Sequence, residues 1–234
     1  MPGQTVSVDV ISDVVCPWCF IGKRRLEKAL ALVPDVKVEI RWRPFQLAPE
    51  LPPAGVPRDQ YLIQKFGSLD RTKEMFERVA KVGAGDGIAF AFDKIQVSPN
   101  TLDAHRLILW ARSGTTQDAV VEALFRAYFI EGKNLADRQT LIEIGAANGL
   151  ETNLLAELYA SDADIERTRR EIASAQRIGV TGVPFFIVAE RYGIAGAEAA
   201  ETIAEAIRQA AKETGQEAGQ DAGQQAGGAR SAAE

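Results

Sequence analysis

The sequence predicts an α/β protein in which a β-α-β unit and a β-β-α unit are separated by a large all-helical insertion. Three observations carry this. Period-two alternation of apolar residues marks two stretches in the first third of the chain, and a short apolar strand-like run returns at Val183. From about residue 58 to residue 178 the period changes to 3.6. The composition, 46% hydrophobic with a net charge of −5, is that of a globular chain able to bury a core.

The elements follow in order. Val6-Ser7-Val8-Asp9-Val10 and Val36-Lys37-Val38-Glu39-Ile40-Arg41-Trp42 alternate as strands, with a helix from Pro17 to Leu32 between them that Pro34-Asp35 stops. A strand–helix–strand of this length implies parallel pairing through a right-handed crossover. Pro44, Pro49, Pro52, Pro53 and Pro57 mark a long loop, which Phe45-Gln46-Leu47 opens. Six or seven helices and no clear strand fill the next segment. Their stripes are Met75, Val79 and Val82; then Val120, Ala123, Leu124, Ala127 and Tyr128; then Ile165, Thr168, Ile172 and Ala175. Ser161 with Asp164, and Asn100 with Asp103, read as capping boxes, and Gly114 and Gly149 as helix-ending glycines. Val183-Pro184-Phe185-Phe186-Ile187-Val188 restores strand patterning, Tyr192-Gly193-Ile194 is its hairpin partner, and Ala200, Ile203, Ile207 and Ala210 face a final helix. From Glu213 onward no large apolar or aromatic residue occurs, so residues 213–234 read as a flexible low-complexity tail without chemistry. The implied division is residues 1–57 with 179–212, and 58–178.

The chemistry centres on Cys16-Pro17-Trp18-Cys19, whose two cysteines are the only ones in 234 residues. A C-x-x-C pair at a strand-to-helix junction is the site of thiol–disulfide exchange. Cys16 falls at the N-cap, where orphan N–H groups and the helix dipole favour a thiolate. Pro17 suits the first turn because its missing N–H would have no intrahelical partner there. A structural zinc site needs four ligands, and His105 is the one other soft ligand, so no metal is expected. A structural disulfide closing so short a loop would remove little chain entropy.

In combination, Asp13-x-x-Cys16-Pro17-Trp18-Cys19-x-x-Gly22, Asn100-Thr101-x-x-Ala104-His105-Arg106, Leu124-Phe125-x-Ala127-Tyr128-Phe129-x-Glu131-Gly132 and Gly179-Val180-x-Gly182-Val183-Pro184-Phe185-Phe186 resemble a DsbA-like member of the thioredoxin superfamily, more narrowly its FrnE-type branch. The resemblance covers roughly residues 7–212. It implies a thioredoxin-like fold and a cis Val183–Pro184 bond beside the cysteine pair, so that the Val183 backbone can pair with an extended substrate. It also implies kinship with 2-hydroxychromene-2-carboxylate isomerases and kappa-class glutathione transferases, which typically carry serine at the position of Cys16. Two cysteines favour dithiol chemistry.

The reading is therefore a protein-disulfide oxidoreductase: Cys16 attacks, Cys19 resolves, and Trp18, Val183 and Pro184 meet the substrate. Asp13, Pro17, Asn100, His105 and Arg106 support them. Asp13 hydrogen-bonds the loop, assists proton transfer from Cys19 or caps the turn. His105 is either an acid–base group or, with Leu102 and Leu109 on its helix face, a hydrogen-bonded core residue. Trp42, Phe45, Trp110 and Phe129 read as core. The Asn100–Arg106 helix start, polar on an otherwise apolar helix, is expected to approach the cysteines and select substrates. A glutathione-dependent isomerase or transferase and a redox-sensing chaperone are the competing readings. No cofactor is expected to be bound beyond the redox-active disulfide, with glutathione admitted as a co-substrate. Expected partners are protein disulfides and thiols or glutathione, for a monomer or homodimer. The acidic balance argues against nucleic acid, and Lys23-Arg24-Arg25 reads as a solvated helix face. No targeting segment or membrane span is legible, and the expected location is cytoplasmic.

Overall fold

The computed structural model describes residues 5–113 and 116–228. Strand β1 (Val6–Ser12) leads into helix α1 (Pro17–Ala31), which returns the chain to β2 (Val38–Pro44). β1 and β2 are parallel, Val6 opposite Val38 and Ser12 opposite Pro44. β2 begins and ends two residues later than the alternation suggested, because Val36 closes a turn on the Val33 carbonyl. After the helical segment, β5 (Phe185–Val188) pairs antiparallel with β1 and β6 (Tyr192–Ala195) with β5, giving the sheet order β2-β1-β5-β6. Ala189 and Glu190, both at positive φ, make the hairpin turn, and Arg191 N–H closes it on the Val188 carbonyl.

The helical segment contains α2 (Arg58–Phe66), α3 (Leu69–Gly85), α4 (Leu102–Trp110), α5 (Gln117–Phe129), α6 (Arg138–Ala147), α7 (Thr152–Ala160) and α8 (Ile165–Arg177). It also holds one strand that periodicity did not show. β3 (Val56–Pro57) and β4 (Val97–Ser98) form a two-residue antiparallel ladder, too short to carry alternation. Gly149 follows α6 at φ +87, as a helix-ending glycine does; Gly114 lies outside the described residues.

The two capping boxes fail. Ser161 is the C-cap of α7, while Asp164, at φ +57, is itself the N-cap of α8. Asn100 accepts from Leu102 N–H at 3.0 Å one residue before the N-cap, Thr101.

Most buried residues of the helices and of the sheet form one cluster, and Ile11, Phe45, Ala175 and Val180 form a second, smaller one. Phe20 of α1 stacks on Phe125 of α5 at 5.0 Å, and Phe90 meets Phe20 edge-on. Lys23-Arg24-Arg25 is not the solvated face expected. Lys23 is buried and pairs with Glu27, Asp118 and Glu122; Arg24 pairs with Glu122, and Arg25 with Asp86. Carboxylates from α5 and from the end of α3 pack over that face and neutralise it.

The last helix, α9 (Ala200–Gly228), buries Ala200, Ile203, Ile207 and Ala210 as expected but continues past Lys212. Alanine, glutamate and glutamine have enough helix propensity to extend the backbone after the apolar face has ended. Glu213 is tied to Tyr192 Oη at 2.6 Å. Among the described residues no helix is long and apolar enough to cross a membrane.

Candidate active site

β1 delivers the chain into a tight turn, Cys16 N–H to Asp13 carbonyl at 3.0 Å, which presents Cys16 as the N-cap of α1 in extended conformation (φ −92, ψ 113). Pro17 occupies the first turn, and no side chain caps it, so its N–H groups have no side-chain acceptor. Cys19 N–H bonds the Cys16 carbonyl at 3.0 Å, closing the first helical turn.

Both cysteines are free thiols with different surroundings. Cys16 is 5% exposed and lines a cavity, whereas Cys19 is 1% exposed and faces the core. Burial pushes the Cys19 thiol well up, helped by the hydrogen bond and charge of Cys16 and opposed by the Ser12 hydroxyl and the Asp13 backbone. Cys19 is therefore held as the neutral thiol.

The Cys16 Sγ–H donates to the Val183 carbonyl at 3.5 Å, which joins two segments 167 residues apart. The Val183–Pro184 peptide bond is cis. Pro184 sits directly on α1 at Gly22: a Cβ there would lie 2.9 Å from Pro184 Cγ and 3.2 Å from Phe186 Cζ. Glycine at this position is what lets the loop close on the cysteine helix.

A cavity of about 270 Å³ opens beside Cys16. Val15, Pro17 and Trp18 border it on one side and Leu47, Ala48 and Leu51 of the proline-rich loop on another. Helices α2 and α3 cover it with Arg58, Tyr61, Lys65, Met75 and Phe76, and Tyr128 of α5 also reaches it. Both residues of the stripe Met75–Val79 line the cavity, Val79 buried and Met75 half-buried. Trp18, 41% exposed, stands as a border residue rather than as core.

The remaining sequence candidates separate into two groups. Asp13 is fully buried; its Oδ2 accepts from Leu47 N–H at 2.8 Å, and its Oδ1 lies 3.4 Å from His105 Nε2. His105 Nε2 is 2.8 Å from the Phe45 carbonyl, to which it donates. His105 is thus a hydrogen-bonded core residue, and with Asp13 it fixes the loop that carries Leu47. Asn100 does the same from the other side, bonding the Gln46 side chain at 2.9 Å and the Leu51 carbonyl at 2.6 Å. These residues shape the cavity wall without lining it.

Arg106 belongs elsewhere. It is 0% exposed and donates to the Leu158, Ser161 and Ala163 carbonyls and to Asp103, so its placement corrects the expectation that it supports the cysteine site and helps to select substrates. What the sequence reading missed is Arg58, Tyr61 and Lys65. Their spacing of three and four puts them on one face of α2, a cationic–aromatic stripe that was legible in principle.

A dithiol at the start of the first helix, backed by a proline loop that leads into the strand next to β1, defines a thioredoxin-like protein. The chain belongs to the DSBA-like thioredoxin domain family, whose model matches residues 7–208. It is similar to a probable DsbA oxidoreductase, SCO1869, from Streptomyces coelicolor, with 31% identity, a TM-score of 0.81, and 88% of this chain and 89% of the other covered. The uncharacterized protein YwbO of Bacillus subtilis (strain 168) is 27% identical over 205 residues, 85% of this chain and 95% of its own. The cytosolic disulfide reductase DsbM from Pseudomonas aeruginosa, in a structure with GSH, shares the fold at 20% identity and a TM-score of 0.57, with 90% of this chain and 98% of DsbM covered.

Proposed function

We propose that this protein is a thiol–disulfide oxidoreductase in which Cys16 is the nucleophile and Cys19 the resolving thiol. The observation that carries this is the asymmetry of the pair: one sulfur opens on a cavity at a helix start, the other is buried and held neutral. In the reducing direction the Cys16 thiolate attacks a substrate disulfide, a Cys16–substrate disulfide forms, and the leaving thiolate takes a proton from water. Cys19 then loses its proton and attacks the Cys16 sulfur, releasing the second substrate thiol. Two electrons pass from the pair to the substrate, and two equivalents of a small thiol, oxidised to their disulfide, restore the pair.

Val183 offers its carbonyl beside the attacking sulfur, a position from which backbone can pair with a cysteinyl peptide. Protein disulfides and glutathione, itself a cysteinyl peptide, are the proposed partners, and the cytoplasm is the proposed compartment. There the glutathione poise runs the pair as a reductase when its potential lies below that of the substrate.

Insulin reduction in the presence of dithiothreitol tests the proposal. Wild type should accelerate it, Cys16→Ser should abolish the acceleration, and Cys19→Ser should accumulate mixed disulfides. Acceleration that survives Cys16→Ser would refute the assignment.

A further inference from the structure

The cavity beside Cys16 contains a charge that the protein leaves without a counter-ion. Arg58 is 8% exposed, yet among the described residues its side chain meets no carboxylate. Its one hydrogen bond runs from Nη1 to Tyr128 Oη at 3.1 Å, and its guanidinium lies 5.0 Å from the centre of the Phe76 ring. Burial pushes the Tyr128 phenol up to about 12, so Tyr128 is a neutral partner. A guanidinium carries five N–H donors in a fork that matches a carboxylate, and a buried cation is costly unless an anion meets it. The rest of the wall is mostly apolar or aromatic, from Leu47, Leu51, Leu62, Met75 and Phe76, with the buried Ser98 hydroxyl, which has no hydrogen-bond partner among the described residues, also on it, while Tyr61 and Lys65 bond each other at 2.7 Å. At about 270 Å³ the space lies near the ~300 Å³ lower end of small-ligand pockets, enough for one small molecule.

We infer that this cavity binds a small disulfide or thiol with an apolar body and a carboxylate, the carboxylate on Arg58 and the sulfur at Cys16. The inference rests on the exchange chemistry proposed above and names the substrate class for it. The step balances: the Cys16 thiolate bonds one ligand sulfur, the ligand S–S bond breaks, and the departing thiolate takes a proton from water.

Two arms test it on the full chain. In the first, reduced wild type and Arg58→Met react under single-turnover conditions with 5,5′-dithiobis(2-nitrobenzoate), a carboxylate-bearing disulfide, and with neutral 2,2′-dithiodipyridine. The wild-type preference for the acid should fall about tenfold in Arg58→Met, the scale of one charge-assisted hydrogen bond, and Arg58→Lys should recover part of it. An unchanged preference overturns the inference. In the second arm native Arg58 is kept and exchange is removed with Cys16→Ser. Calorimetry should show 4-(methylthio)benzoate binding about tenfold more tightly than its methyl ester. Equal binding, or binding by an extended cysteinyl peptide alone, overturns it. Because the second arm needs no redox step, failure of the exchange reading and failure of the carboxylate site give different results.

Discussion

Two buried arginines divide this molecule. Arg106 sits where α4 meets the α7–α8 connection and spends its donors on three backbone carbonyls and Asp103, with the Trp110 and Tyr159 rings 4.9 and 5.4 Å from its guanidinium carbon. Arg58 lines the same cavity as Cys16 and, among the described residues, its side chain has a single, neutral hydrogen-bond partner. Both are buried cations among aromatics, yet one is saturated and the other is not. A saturated guanidinium is a structural bolt. An unsaturated one facing a cavity is available to a ligand. Satisfaction of donors, rather than burial or charge, separates scaffold from site here.

The largest effect expected from this contrast is on stability. Arg106→Met strips three carbonyls and one carboxylate of their donor and should cost about 3–5 kcal/mol in urea unfolding. Arg58→Met removes one hydrogen bond and should cost about 1 kcal/mol or less. Equal losses would break the comparison.

Gly22→Ala acts on the cysteine side alone. Its Cβ would press on Pro184 and Phe186, so the Val183 carbonyl should move relative to Cys16. Overpacking of this kind costs about 1–3 kcal/mol, partly offset by the ~1 kcal/mol that alanine gains over glycine in a helix. Exchange should therefore fall more than stability does, as stopped-flow rates set against urea midpoints would show.

His105→Phe sharpens the boundary between the two regions, since α4 carries both His105 and Arg106. Loss of its bond to the Phe45 carbonyl should cost about 1–2 kcal/mol and loosen the Leu47 wall. Small-disulfide binding at the cavity should weaken, while the α7–α8 corner keeps its hydrogen-exchange protection.

The smallest effect is a pH dependence. The folded-state value of Cys19 is raised above the ordinary 9.0, so below that value both folded and unfolded chains hold the proton and the stability is complete. Above it the unfolded chain ionises first, and stability of the reduced protein should decline as pH rises towards the folded-state value. Cys19→Ser should flatten that decline in urea midpoints measured from pH 7 to 10.

What the sequence revealed follows the same division. The cysteine pair, the first two strands and the helix stripes were legible because each depends on local spacing: a C-x-x-C at a helix start, period two, period 3.6. Arg106 was misjudged because a polar residue on an apolar helix looks like a site until its acceptors are known, and its three carbonyl acceptors lie 52 to 57 residues away. Arg58 escaped notice for the converse reason. It begins a short helix after a run of prolines, and only the tertiary approach of Tyr128, 70 residues on, makes it buried. The run Lys23-Arg24-Arg25 likewise took its meaning from α5.

The most direct measurement is competitive alkylation of the fully reduced protein at pH 6, with each cysteine followed by mass spectrometry. The account predicts that iodoacetamide modifies Cys16 at least about tenfold faster than Cys19, and that the difference vanishes in denaturing urea. Equal rates in the folded protein, or faster modification of Cys19, would contradict it.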